Sequence, residues 1–68
     1  MFRFAIGENV KFFSFYGTPM IGVVREQKHT HVEMFGEVVL DKNYYRIESP
    51  EYSFLVIRGE NELFTSSD

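Results

Sequence analysis

The chain contains no cysteine and no tryptophan, only two prolines, and no apolar run approaching a membrane span. Without cysteine there is no disulfide framework and no zinc ribbon, and the absence agrees with a reducing compartment. The apolar opening Met1-Phe2-Arg3-Phe4-Ala5-Ile6 is broken by Gly7-Glu8-Asn9. That is too short for a signal-peptide core or for the roughly 20 residues of a spanning helix. The expectation is a cytoplasmic protein with no membrane segment. A basic excess is missing too: seven Lys and Arg stand against ten Asp and Glu, a net charge of −3. This argues against a protein whose main task is neutralising a phosphate backbone.

What the chain does have is rings. Eight Phe and four Tyr among 68 residues can supply the core of a domain too small to bury more than about 60% of its unfolded surface. One domain over residues 1–64 with a frayed polar tail at 65–68 is expected.

Short β-branched and aromatic runs, separated by turn residues, predict an all-β fold. Val10-Lys11-Phe12-Phe13-Ser14-Phe15 is closed by Tyr16-Gly17-Thr18-Pro19, and a strand from Met20 to Lys28 follows. Gly22 within it marks a sharp bend or a close backbone approach. Over residues 29–40 two readings compete. Thr30 with Glu33 matches a capping box and Val32, Phe35 and Val39 share helical spacing, which allows a short helical turn. Gly36 and the pair Val38-Val39 oppose a helix interior, and a hairpin turning at Phe35-Gly36 is preferred. A further turn is expected at Asp41-Lys42-Asn43, then a strand through Tyr44-Tyr45-Arg46-Ile47-Glu48. The apolar run Phe54-Leu55-Val56-Ile57-Arg58 reads as a strand covered on both sides. Five or six short strands in so few residues hide their edges by curling into a small barrel.

The order Gly7-Glu8-x-Val10-x-Phe12, a Gly-Pro turn, Gly22-x-Val24, Tyr45-x-Ile47 and Glu60-Asn61-Glu62-Leu63 resembles the SH3-like barrels of the KOW and Tudor type. It is most similar to the small, uncharacterised single-domain barrels of Gram-positive bacteria and their phages. The resemblance implies a binding module, such as a phage or bacterial accessory protein. The compact basic loop of a nucleic-acid-binding KOW module is absent.

Chemistry-bearing constellations are sparse. His29 and His31, two apart on an extended chain, point to one side and could share a metal. Their sequence neighbours offer only Glu26, Glu33 and Glu37 as further ligands, so a solvated strand end is the preferred reading and no metal or cofactor is expected. The serines lie away from both histidines, and the five glycines are dispersed rather than gathered into a phosphate loop, so no enzyme activity is expected.

The surplus of rings is the informative feature. Adjacent strand residues face opposite sides, so Phe12-Phe13 and Tyr44-Tyr45 must each split. With Val10, Phe12 and Val24 inward, Phe13 and Phe15 face outward beside Tyr16, unless the segment Phe2-Arg3-Phe4 folds back over them. Together with Phe35 and Tyr44 they form the expected surface for a protein partner or for a second copy of the chain. Charge offers the alternative. Residues 1–31 carry four basic residues against two acids, while residues 32–68 carry eight acids against three bases. A weakly basic face of Lys11, Arg25 and Lys28 with interleaved rings would suit a nucleic acid.

Overall fold

The computed structural model describes residues 1–50 and 55–66. Phe54, expected to open the fourth strand, and residues 67–68 of the expected tail lie outside the described residues. The chain is all-β. β1 (Asn9–Phe13), β2 (Pro19–Met34), β3 (Glu37–Glu48), β4 (Leu55–Gly59) and β5 (Phe64–Thr65) form one antiparallel sheet. The strand order is β4-β3-β2-β1-β5. A 3-10 turn at Glu60–Glu62 separates β4 from β5. Among the described residues no helix is long and apolar enough to cross a membrane.

Register sorts the side chains. Val10 lies opposite Gly22 and Phe12 opposite Met20. Val24 lies opposite Ile47, and after a bulge between Val24 and Glu26, Gln27 lies opposite Tyr45. Val10, Phe12, Met20, Val24, Tyr45 and Ile47 are buried, with Phe4 and Leu63 closing over them. Val23 pairs with both Asn9 of β1 and Glu48 of β3, so β2 changes neighbours at this point. Gly22, beside it, is where the backbones approach: a Cβ there would lie 2.9 Å from the Glu48 carbonyl oxygen. The close approach expected at this glycine is present.

The N-terminal segment covers the core rather than extending the sheet. The rings of Phe2 and Phe4 meet Tyr45 edge-on, at 5.9 and 5.5 Å between centroids. The Tyr45 hydroxyl accepts from the amides of Arg3 (3.0 Å) and Phe4 (3.2 Å) and donates to Glu60 Oε1 at 2.5 Å. Glu60 also accepts from the Arg3 amide at 2.8 Å. Burial, and then the bond to Glu60, raises the Tyr45 phenol above its ordinary pKa. The bond from Tyr45, and then that from the Arg3 amide, holds the Glu60 carboxyl below the usual carboxylate range.

The preferred hairpin is present and the helical alternative is not. Phe35 and Gly36 both take positive φ, 54° and 79°, the pairing that a two-residue type I′ hairpin turn requires. The short helical turn sits instead at Glu60–Glu62. Four further expectations are corrected. Asp41-Lys42-Asn43 is no turn: β3 runs unbroken through it, because each residue has a ladder partner on β2, His31, Thr30 and His29 respectively. β4 is not covered on both sides; it is an edge strand, with Leu55 and Ile57 exposed. The strands are not uniformly short, since β2 and β3 span 16 and 12 residues. Thr65, assigned to the tail, pairs with Val10 in β5. β4 and β5 stand at opposite edges, so the sheet's hydrogen-bond ladder does not close.

Candidate partner-binding surface

The loop of residues 14–18 is built around Ser14. Its Oγ accepts from the amides of Tyr16 (3.2 Å) and Thr18 (3.1 Å). Its own amide donates to the Thr18 carbonyl and its carbonyl accepts from Gly17, both at 2.9 Å. Gly17, at φ 80°, supplies the left-handed residue that closes the loop. The product is a tied loop that holds two rings outward: Phe15 is 93% exposed and Tyr16 89%. The two pack on each other edge-to-face, 5.4 Å between centroids. They border a groove of about 330 Å³ whose other walls include Phe12, Met20, Val56 and Arg58. The Arg58 guanidinium lies 5.3 Å from the Phe12 ring centroid and 3.7 Å from Glu62, held at the groove wall between a ring face and a carboxylate.

The expected surface is therefore only partly assembled. Phe15 and Tyr16 come together. Phe13 is half exposed and leans on Phe64 of β5, with centroids 5.9 Å apart. Phe35 is fully exposed at the hairpin tip with Met34, Val38 and Val39, at the opposite end of β2 from the loop. Tyr44 is half-buried, with the Lys42 ammonium 6.0 Å from its ring, while its neighbour Tyr45 is in the core, so the pair splits as alternation requires. The segment Phe2-Arg3-Phe4 packs on Tyr45 and leaves Phe15 and Tyr16 uncovered.

Met20, Val56 and Arg58 line the groove as well, and sequence spacing does not single them out. Arg58 carries a signal, a lone cation closing an apolar strand; Met20 and Val56 carry none, because residues of β1, β2 and β4 line one groove only in the folded chain. On the outer face, Arg25 bonds Glu48 at 2.7 Å and Arg46 bonds Glu26 at 2.6 Å, so acids interleave the basic residues. Lys11 stands opposite Ile21 and Phe64, and Lys28 opposite Tyr44. His29 and His31 meet Asp41 of β3 across the ladder. No family model, curated protein or solved structure matches the chain.

Proposed function

We propose that the chain is a non-catalytic protein-interaction module that takes an extended apolar segment of a partner protein against Phe15 and Tyr16. The observation that carries this reading is a pair of adjacent, almost fully exposed rings on a loop tied by four hydrogen bonds. Exposed rings of this kind are typical interface anchors, and a loop ordered beforehand loses little entropy when it binds. The groove beside the rings is lined by Val56 and Arg58 of β4, and among the described residues β4 pairs only with β3. A partner strand added along that edge would gain main-chain hydrogen bonds while its side chains enter the groove.

The same reading takes the sheet as a strongly bent SH3-like barrel. Supporting it are the change of neighbours at Val23, the close approach at Gly22, the bulge after Val24, and a last strand that follows a 3-10 turn and returns to β1. Nucleic-acid binding through Lys11, Arg25 and Lys28 draws less support, because Arg25 is already paired with Glu48 and the Glu26–Arg46 pair lies alongside. Its signature would be affinity falling steeply between about 50 and 200 mM salt.

The test is a tag-immobilised chain used to capture proteins from lysate, compared with a Phe15→Ala/Tyr16→Ala variant and a Phe35→Ala variant. The double variant should lose the captured species while Phe35→Ala keeps it. Equal capture by the double variant would remove this surface. Sedimentation velocity over a concentration series distinguishes a foreign partner from a second copy of the chain.

A further inference from the structure

We propose that His29, His31 and Asp41 bind a divalent transition-metal ion of the zinc, nickel or copper type on the outer half of the β2–β3 hairpin. Cross-strand register supplies the ligand that sequence spacing lacks. His29 stands opposite Asn43 and His31 opposite Asp41, and alternation puts all four on the same face of the sheet. One nitrogen from each histidine and one oxygen of Asp41 lie within 4.8 Å of one another.

The hydrogen bonds around this cluster fix which atoms are free. Asn43 Nδ2 donates to the Met1 carbonyl at 2.8 Å and to the Glu60 carboxylate at 3.3 Å, groups that can only accept. The amide orientation is thereby set, and its Oδ1 faces His29 Nδ1 at 2.7 Å. With Nδ1–H donating to Asn43 Oδ1, the neutral His29 ring keeps its lone pair on Nε2, which lies 3.1 Å from Asp41 Oδ1. His31 is arranged in the same way: Nε2 lies 3.5 Å from Glu33 Oε1, and Nδ1 lies 3.3 Å from Asp41 Oδ2. Each imidazole thus has one nitrogen near the shared carboxylate and the other near a second side-chain oxygen, hydrogen-bonded at Asn43 and 3.5 Å away at Glu33. Metal-ligating histidines are oriented by such outer contacts.

The distances suit an ion. Bonds of about 2.0–2.1 Å in a tetrahedral site separate neighbouring ligand atoms by about 3.3 Å; His29 Nε2 lies 3.1 Å from Asp41 Oδ1 and His31 Nδ1 3.3 Å from Oδ2, so small side-chain rotations of these exposed residues bring both rings onto one oxygen. Two imidazoles and a carboxylate favour zinc, nickel or copper over magnesium or calcium, and leave a coordination position for water. A bound ion would tie β2 to β3 where no core does so. A proton on His29 could occupy the same position, and the experiment separates the two.

The test is calorimetric titration and thermal melting of the untagged full chain with zinc, nickel and magnesium chlorides after chelator treatment. One zinc per chain and a rise in Tm of at least about 4 °C at saturation are expected, with no response to magnesium. Asp41→Asn and His31→Ala should each weaken zinc binding at least about tenfold, and Asn43→Ala by less. In two-dimensional NMR, zinc should shift the imidazole signals of His29 and His31. Asp41→Asn is nearly isosteric and exposed, so its fold serves as the control. No heat and no Tm change with zinc would overturn the proposal, as would zinc binding unchanged by both His31→Ala and Asp41→Asn.

Discussion

The two halves of the β2–β3 hairpin share one hydrogen-bond ladder and differ in almost everything else. Near its base, Val24, Tyr45 and Ile47 are sealed from water by Phe4, Phe12 and Leu63. In the outer half, none of residues 28–42 is buried, although Val32, Val38, Val39 and Leu40 are as apolar as anything in the core. Burial here is decided by what crosses the strands. The N-terminal segment and the 3-10 turn hydrogen-bond to Tyr45 and Asn43, on the base side of the hairpin. A lone two-stranded hairpin is marginal in water, so the outer half rests on its turn and on cross-strand pairs of a few tenths of a kcal/mol each. Both candidate binding features, the ring-bearing loop and the histidine cluster, occupy positions that the core does not use.

The largest effect should come from removing the cover. Phe4→Ala should lower global stability by about 3 kcal/mol in denaturant melts, and a loss under about 1 kcal/mol would mean that the segment is not part of the core. Next is the Tyr45–Glu60 bond. Glu60→Gln should cost about 1–2 kcal/mol at neutral pH. Because the Glu60 carboxyl titrates lower in the folded chain than in the unfolded one, its contribution is present above about pH 4.3 and fades as pH falls below that; the variant should lack this acid-side loss. Tyr45 behaves oppositely. Its raised phenol contributes below about pH 10 and loses that contribution as pH rises further, so alkaline melts should show a second decline. Gly36→Ala, at φ 79°, should cost about 1 kcal/mol, read as chemical-shift changes confined to the outer hairpin. Smallest is the Phe15→Ala/Tyr16→Ala variant, whose global stability should stay within about 0.5 kcal/mol of the parent.

Features with local causes were legible in the residues. Period-two alternation predicts the β class and the split of Phe12 from Phe13 and of Tyr44 from Tyr45. The conflict between helical spacing and Gly36 resolves to a turn where only two residues need positive φ. Features with distant causes were not legible. Asp41-Lys42-Asn43 has turn composition, and pairing with residues 29–31 overrides it; the same pairing brings Asp41 to the histidines, which spacing within β2 could not reveal. The place of Phe2 and Phe4 against Tyr45, and of Arg58 beside the loop, likewise depends on contacts between segments far apart in the chain.

Native-state hydrogen exchange compares the two halves most directly. Ladder amides in the core half, such as those of Tyr45 and Ile47, should exchange only through global unfolding, while those of residues 30–40 should exchange through openings several-fold cheaper in free energy. Equal protection along the whole hairpin in the metal-free chain would contradict the division between a covered base and an uncovered outer half.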